Sequence, residues 1–179
     1  DEPADWAIVE GLLRARSRAT TPDLSRIRAL FTDCDGVLTD GGMYYSEHGD
    51  ELKKFQTRDG MGFAMLREAG ILTGIITTES VELVRRRAAK LRLDELHMGV
   101  HDKLSVVRAL CEKHGLSLDE IAYVGDDVFD VPVIGAVGFG CSVADGMPAA
   151  RDAAAYVTRV RGGEGAVREV AELILAARR

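Results

Sequence analysis

Short apolar runs alternate with amphipathic segments along most of the chain. Short apolar runs, here of three to seven residues, are typical of strands buried on both faces of a sheet. These predicted strands span residues 28–32, 71–77, 95–98, 121–124, 138–143 and 156–158. Between them, apolar residues recur at helical spacing. The predicted helices span residues 61–68, 81–90, 103–114, 131–136, 149–152 and 166–177. Such alternation predicts an α/β fold: a Rossmann-like, mostly parallel sheet with helices on both faces.

Two segments depart from this alternation. Residues 43–55, interrupted by the turn residues His48-Gly49-Asp50, predict a β-hairpin that would form a small flap. Residues 5–18 have helical spacing, and the following residues to about 22, which include Pro22, resemble a linker. We therefore expect a helix and linker over 1–22 and one domain over 23–179, a size that can bury a full core.

Charge and cysteine content narrow the possible partners. The net charge of −6 argues against a nucleic-acid partner, and no apolar run is long enough to predict a membrane span. The acidic first residues do not resemble a signal peptide. The three cysteines, Cys34, Cys111 and Cys141, have no metal-binding spacing, which predicts reduced thiols in a cytoplasmic protein.

Polar residues with possible chemistry follow directly on three of the predicted strands. Asp33, Thr77 and Asp126 occupy these positions, and the ends of parallel strands meet at one edge of a sheet. Asp35 crowds a second carboxylate against Asp33, which is costly unless a cation relieves the repulsion. Acidic pairs also occur on ordinary loops, but oxygen ligands without histidine or cysteine suit Mg²⁺. A lysine at 103 could neutralise charge on a phosphoryl group there.

Together these residues resemble, in order, the four motifs of the haloacid dehalogenase superfamily of phosphatases. The matching motifs are Asp33-x-Asp35-Gly36-Val37-x-Thr39, Thr77, Lys103 and Gly125-Asp126-Asp127-x-x-Asp130. A response-regulator receiver domain also combines acids, a threonine and a lysine. In that class, however, the phosphorylated aspartate follows the third strand, where this chain has a threonine.

The resemblance implies roles for each motif. Asp33 would be the nucleophile that forms a phosphoaspartate, and Asp35 the general acid and base. Asp33, the main-chain carbonyl of Asp35, and Asp126 would hold Mg²⁺. The remaining residues would bind the phosphoryl group (Thr77 and Lys103) or support the metal's waters and orient the lysine (Asp127 and Asp130).

The segment between Asp33 and Thr77 has room for one hairpin and one helix, so no large cap domain is expected. The chain is similar to the capless sugar-acid branch, which resembles it around Lys53 and Phe55, at 58–60 and at 161–169. That branch implies a homotetramer in which hairpins pair and a neighbour's glycine-rich segment, here with Gly162 and Gly163, closes the site. A lone two-stranded hairpin is marginal in water, which also favours assembly; an intramolecular flap is the alternative.

The substrate predicted by this resemblance is a sugar-acid phosphate. The sequence Thr77-Thr78-Glu79 is similar to phosphatases of nine-carbon, sialic-type acid 9-phosphates, whereas phosphatases of 3-deoxy-D-manno-octulosonate 8-phosphate typically have Thr-Gly-Arg. The nine-carbon ester is therefore the first expectation and the eight-carbon ester the alternative. The implied substrate contacts are Asp59, Glu79, Arg87, Lys90, Gly162 and Gly163. A solvated basic helix face is the simpler explanation for the two cations.

The first residues add a further possibility. Residues 1–13 resemble the end of an acylneuraminate cytidylyltransferase, so the chain could be the C-terminal part of a bifunctional enzyme; an unrelated amphipathic helix is the alternative. In that setting a catalytically silent tetramerisation domain is conceivable. Loss of catalytic activity is argued against by the four catalytic and metal-binding positions that the chain retains: Asp33, Asp35, Lys103 and Asp126.

Overall fold

The computed structural model of the chain describes residues 22–49 and 51–178. The predicted helix over 5–18 and the linker up to residue 21 lie outside this range. No helix within the described range has the length and apolar character that a membrane crossing requires.

The described residues form the predicted succession of strands and helices. The strands are β1 (Ala29–Thr32), β2 (Tyr44–Tyr45), β3 (Glu51–Leu52), β4 (Leu72–Ile76), β5 (Glu95–His97), β6 (Ile121–Gly125), β7 (Phe139–Ser142) and β8 (Tyr156–Val157). The α-helices are α1 (Thr57–Glu68), α2 (Glu82–Leu91), α3 (Lys103–His114), α4 (Val131–Ala136), α5 (Pro148–Ala153) and α6 (Ala166–Ala176). Short 3₁₀ helices lie at Leu24–Arg26, Leu118–Glu120 and Val128–Asp130.

Six strands form one sheet in the order β5-β4-β1-β6-β7-β8, and each pair of neighbours is parallel. Strand β1 lies in the middle, where Thr32 is opposite Ile75 on one side and Val124 on the other. The residues that follow β1, β4 and β6 therefore emerge at the same edge. The α/β prediction is confirmed.

Helices cover both faces of this sheet. Successive residues of a strand point to opposite faces, so each strand contributes side chains to both cores. Leu30 of β1 packs into a core with α1, α2 and α6, through residues such as Phe63 and Val170. Phe31 packs into a second core with α3, α4 and α5, through residues such as Val107 and Ile134. The nucleophile candidate thus follows a strand that is buried on both faces.

The hairpin flap occupies the segment between β1 and α1. Strands β2 and β3 pair antiparallel, and Thr39 forms an isolated antiparallel bridge with Phe55. No cap domain is present among the described residues of this segment. One boundary prediction was wrong: α1 begins at Thr57, about one turn before residue 61. The side chain of Gln56 accepts the Thr57 amide at 2.9 Å, and Asp59-Gly60 forms helix rather than a turn.

Candidate active site

The loop after β1 turns back sharply at the carboxyl edge of the sheet. The Asp33 amide donates to the carbonyl of Val124 at 2.9 Å, which continues the strand ladder by one residue. The carbonyl of Cys34 then accepts the amides of Leu38 at 2.8 Å and Thr39 at 3.1 Å. These bonds hold Asp33 at the edge of the sheet.

A glycine is required where this loop passes Asp126. Gly36 has φ of +78°, in the left-handed region, and a Cβ there would overlap the carboxylate of Asp126. Side-chain oxygen Oδ1 of Asp126 is buried and has no hydrogen-bond partner among the described residues. Burial raises the pKa of Asp126 to about 8, and the negative charges of Asp130 and Asp33 add to the rise. The positive charge of Lys103 counters this rise only in part.

A buried lysine joins two of these carboxylates. Lys103, the first residue of α3, is 1% exposed, and its Nζ lies 2.8 Å from Asp33 Oδ2 and 2.7 Å from Asp130 Oδ1. Burial lowers the pKa of Lys103, but the charges and hydrogen bonds of Asp130 and Asp33 outweigh burial, so its pKa is raised. Burial raises the pKa of Asp33 to about 6, with Lys103 opposing the rise. Lys103 therefore remains an ammonium directed at Asp33.

Asp130 holds this lysine in place. Its Oδ1 also accepts the hydroxyl of the fully buried Tyr123 at 2.6 Å, and its Oδ2 accepts the amides of Asp126 at 3.0 Å and Asp127 at 3.2 Å. Both oxygens are thus occupied by hydrogen bonds. Asp130 thus lies beside Lys103, the residue that the family resemblance implied it would orient.

Asp33 and Asp126 have the geometry of a divalent-cation site. Carboxylate oxygens of Asp33, Asp126 and Asp130 lie within 4.8 Å of one another. Because the oxygens of Asp130 are already bonded, the ligands that fit a cation are Asp33 and the unpartnered Asp126. Mg²⁺ binds through one or two carboxylates and keeps the rest of its octahedron for water and substrate oxygens. The residues present therefore fit Mg²⁺.

The carboxylate of Asp35 lies outside that group. Its Oδ1 accepts the hydroxyl of Thr39 at 3.0 Å, and its Oδ2 accepts Nζ of Lys53 at 2.6 Å. This arrangement agrees with a role for the Asp35 side chain in proton transfer rather than in metal binding. The family resemblance implied metal binding for the main-chain carbonyl of Asp35 only. Asp35 retains contact with solvent, with 31% of its side chain exposed.

Lys53 contacts the site although no site role was predicted for it from the sequence. Burial lowers the pKa of Lys53, but the hydrogen bond that Lys53 donates to Asp35 and the charges of Asp35 and Glu79 outweigh this, so its pKa is raised. The family resemblance placed a lysine at this position without giving it a role. The contact depends on how the hairpin docks, which the sequence pattern does not encode.

The side chains of Thr77 and Asp127 each accept a hydrogen bond from a main-chain amide close by in the sequence. The Thr77 hydroxyl oxygen accepts the amide of Glu79 at 3.2 Å, so its hydrogen is directed elsewhere and can be donated to a phosphoryl oxygen. Asp127 Oδ1 accepts the amide of Val128 at 2.6 Å and so caps the 3₁₀ helix Val128–Asp130. The structure therefore gives Asp127 a capping contact and places no contact between it and Lys103.

The predicted substrate residues on α2 and its preceding loop lie in different surroundings. Glu79 is half-buried, near enough to raise the pKa values of Lys53 and of the buried Cys34 thiol. Arg87 is half-buried, donates to the carbonyl of Gln56 at 3.0 Å and lies over the Phe55 ring at 5.2 Å. Arg87 thus joins α2 to the end of the hairpin.

Lys90, by contrast, is exposed on α2. Asp59 is buried and points away from solvent, because its Oδ1 accepts the amide of Arg168 at 3.0 Å at the start of α6. Burial raises the pKa of Asp59 to about 6, and the backbone amides of α6 counter that rise. The structure gives Asp59 this helix-capping contact instead of the substrate contact expected from the sequence.

The glycine-rich segment packs on the nucleophile loop of the same chain. The Gly163 amide donates to the carbonyl of Val37 at 2.9 Å, and Gly162 donates to Asp145 at 2.9 Å. A Cβ at Gly162 would overlap the carbonyl of Gly36. Glycine therefore permits close approach here, next to the site.

Comparison with known proteins identifies the class that this sheet, these acids and this lysine define. Residues 95–170 match the haloacid dehalogenase-like hydrolases. The 3-deoxy-D-manno-octulosonate 8-phosphate phosphatase of Escherichia coli K12 is 44% identical over 151 residues, which are 84% of this chain and 80% of the relative. The chain belongs to the haloacid dehalogenase-like hydrolases, in the group of these sugar-acid phosphatases, and the prediction of a phosphatase is confirmed.

Solved structures agree. The Moraxella catarrhalis 3-deoxy-D-manno-octulosonate 8-phosphate phosphatase, in complex with magnesium, phosphate and the sugar acid, superposes with a TM-score of 0.84 at 41% identity, covering 87% of this chain and 89% of that one. A cobalt-bound phosphatase of Haemophilus influenzae has a TM-score of 0.83 at 35% identity, covering 87% and 91%. With the carboxylate pair described above, these structures confirm the predicted magnesium cofactor.

Proposed function

We propose that the protein hydrolyses 3-deoxy-D-manno-octulosonate 8-phosphate to the free sugar acid and phosphate. The observation that carries this proposal is the 44% identity to the Escherichia coli enzyme of that name over most of both chains. It favours the eight-carbon ester over the nine-carbon ester that the Thr77-Thr78-Glu79 sequence suggested first. The buried acids and lysine supply the chemistry that either ester needs.

In the first step, an oxygen of Asp33 attacks the phosphorus while the bond from phosphorus to the sugar oxygen breaks. Asp35 gives its proton to that departing oxygen, because an alkoxide is otherwise a poor leaving group. The Thr77 hydroxyl and the Lys103 ammonium hold oxygens of the transferring group. Mg²⁺, when bound by Asp33 and Asp126, neutralises the charge of the phosphoryl group and the carboxylates.

In the second step, Asp35 takes a proton from a water molecule whose oxygen attacks the phosphorus of the phosphoaspartate. The bond between phosphorus and Asp33 breaks, which releases phosphate and regenerates the carboxylate. Asp35 is again protonated and ready for the next substrate. Splitting the displacement in this way replaces one difficult step with two easier ones.

A nine-carbon sugar-acid 9-phosphate is the second candidate. Glu79 favours it, because its half-buried carboxylate can accept hydrogen bonds from sugar hydroxyls, and the Thr77-Thr78-Glu79 sequence is similar to that of the nine-carbon phosphatases. Arg87 and Lys90 lie on the helix that follows. Asp59 is omitted from these proposed contacts because it is buried against α6.

Phosphate release from both purified esters, with Mg²⁺ and with a chelator, tests this proposal. The expected result is a higher kcat/KM for the eight-carbon ester and no turnover in the chelator. A clear preference for the nine-carbon ester would overturn the proposed substrate and leave the phosphatase assignment intact. Turnover of neither ester would overturn both substrate proposals.

We also propose that the chain forms a homotetramer in the cytoplasm. Met43, Tyr44, Tyr45 and Leu52 are each at least half exposed on the hairpin, and such a cluster favours burial by another copy. Sedimentation of the protein should give the tetramer mass. A monomer at micromolar concentration would contradict this assembly.

A further inference from the structure

We propose that Lys53 is a positioning residue that holds the Asp35 carboxylate in place for proton transfer, so that the hairpin flap completes the catalytic machinery. The proposal rests on the proposed roles of Asp33 and Asp35. It does not depend on which sugar acid is the substrate.

The fold delivers Lys53 to this position from outside the sheet. Lys53 follows directly on β3, and two residues later Phe55 bridges to Thr39 in the nucleophile loop. The strand pairing and the bridge therefore fix the backbone on both sides of the lysine. Arg87, over the ring of Phe55, anchors the same end of the hairpin to α2.

Lys53 reaches Asp35 with its long side chain almost fully buried. Its side chain is 1% exposed, and Nζ lies 2.6 Å from Asp35 Oδ2. Ordering a lysine in this way costs side-chain entropy and more desolvation than an ordinary surface ion pair requires. The adjacent Lys54 shows the contrast, since its side chain is 59% exposed and its Nζ lies 3.8 Å from Asp40.

Thr39 holds the other oxygen of the same carboxylate. Its hydroxyl donates to Asp35 Oδ1 at 3.0 Å, while its oxygen accepts the amides of Gly36 at 3.4 Å and Gly41 at 3.2 Å. The carboxylate is thus held from two sides, by the loop and by the hairpin. Without Lys53, the hydrogen bond from Thr39 would be the one remaining restraint that the described residues place on this carboxylate, which is 31% exposed.

Misplacement of a proton-transfer group by about 1 Å can cost roughly 10²-fold in rate. Loss of Lys53 should therefore slow both steps that use Asp35. An aryl ester separates those steps, because p-nitrophenolate leaves without a proton. With that substrate the phosphorylation of Asp33 proceeds, whereas water attack on the phosphoaspartate still requires Asp35.

The experiment compares Lys53→Met with wild type on p-nitrophenyl phosphate in a stopped-flow instrument, with Mg²⁺ present. We expect kcat to fall about tenfold to a hundredfold. We also expect a burst of p-nitrophenolate that approaches one equivalent per active site, because phosphorylated Asp33 accumulates. A loss of stability alone would not produce this burst, and thermal unfolding of each variant checks the fold.

Three variants serve as comparisons. Lys54→Met removes the neighbouring charge and should keep the wild-type kcat within about twofold, as expected for an exposed ion pair. Lys53→Arg keeps the charge and should recover part of the lost rate, and it serves as the second test if Lys53→Met does not fold. Asp35→Asn should itself show the burst.

Two results would overturn the positioning role. One is a wild-type kcat on p-nitrophenyl phosphate with a raised KM only for the sugar-acid ester, which would make Lys53 a ligand of the substrate carboxylate. The other is a lower kcat without any burst. If Asp35→Asn keeps wild-type turnover, the proposed roles of the two acids fail, whatever Lys53 does.

Discussion

The two sides of the active-site mouth are built in different ways. On one side, Lys103, Asp130 and Tyr123 are 1%, 0% and 0% exposed, and hydrogen bonds connect them to one another. On the other side, Asp35 is 31% exposed at its side chain, Glu79 is half-buried and Lys90 is exposed. The first side comes from the ends of the sheet and the start of α3, and the second from loops, the hairpin and α2.

This difference separates what is common to the reaction from what distinguishes substrates. Phosphoryl transfer needs charges at fixed distances, and a buried network supplies them without reorganisation. In the proposed function, the sugar contacts Glu79 and Lys90, which are partly or fully exposed and can be exchanged without disturbing the core. We therefore expect substitutions on the buried side, and those of Asp35 and Lys53, to reduce turnover of every ester, and substitutions of Glu79 and Lys90 to change the choice among esters.

The strongest test of the buried side is Asp33→Asn. Removal of the nucleophile should reduce kcat by roughly 10³-fold or more for every ester, because no phosphoaspartate can form. Steady-state phosphate release measures this, and thermal unfolding should show a folded protein. Asp152→Asn, on the exposed surface of α5, is the control and should keep full activity. Wild-type turnover of Asp33→Asn would refute the covalent route.

The next effect concerns Asp126, the proposed metal ligand. Its pKa is about 8 in the metal-free folded protein, above the ordinary value of 3.8. The folded state thus holds a proton that the unfolded chain releases, so stability in a chelator should fall as pH rises from about 4 to 8. The raised pKa of Asp33, about 6, acts in the same direction.

Asp126→Asn should reduce this loss of stability at high pH and weaken the activation by Mg²⁺ about tenfold or more. Urea unfolding at several pH values, with chelator and with Mg²⁺, measures both effects. Mg²⁺ should restore the stability of wild type at pH 8, because it neutralises the same carboxylates. Wild-type stability that rises with pH in the chelator would contradict the expected sign.

A smaller effect is expected for Tyr123→Phe. This change removes the hydroxyl that donates to Asp130, a buried bond to a charged group whose loss costs about 1.5–3 kcal/mol. Since Asp130 orients Lys103, kcat should also fall about tenfold. Tyr156→Phe is matched to it, because the Tyr156 hydroxyl donates to Glu169 away from the site. Equal kcat values for the two variants would show that Tyr123 acts on stability alone.

The smallest effects belong to the open side. Glu79→Arg should change the ratio of kcat/KM between the eight- and nine-carbon esters by about tenfold, because it alters one charged contact with the sugar. Turnover of p-nitrophenyl phosphate should stay nearly unchanged. Lys90→Ala should change KM for the sugar acids only a few-fold. Arg86→Ala, an exposed residue paired with Glu82, is the control on the same helix. A large fall in aryl-ester turnover would place Glu79 with the buried side.

The same division explains which features could be predicted from sequence. Strand β1 followed by Asp33, and β6 followed by Asp126, were recognisable because an apolar run ends abruptly on a carboxylate. Parallel pairing of the strands then places the two acids at one edge of the sheet, independently of the loop conformations. Lys103 was recognised because it begins a predicted helix after His101-Asp102 and occupies the position of the lysine motif in the family resemblance.

Contacts between distant segments could not be predicted in this way. Asp59 belongs to α1, yet its carboxylate caps α6, a pairing that depends on how two helices dock. Asp59-Gly60 also has the composition of a turn, although Gln56 caps a helix there. The buried contact of Lys53 depends on the docking of the hairpin. Local periodicity carries no information about any of these.

The close approach of Gly162 to Gly36 has a consequence for the protein during synthesis. The loop that holds Asp33 is made early, but the segment that packs against it is among the last parts of the domain to leave the ribosome. The α6 helix, capped by Asp59, also comes from that late segment. Domains generally fold as units once their chain is available. A nascent chain that stops before Gly162 should therefore be inert toward phosphate esters, and activity should begin only when the domain is complete.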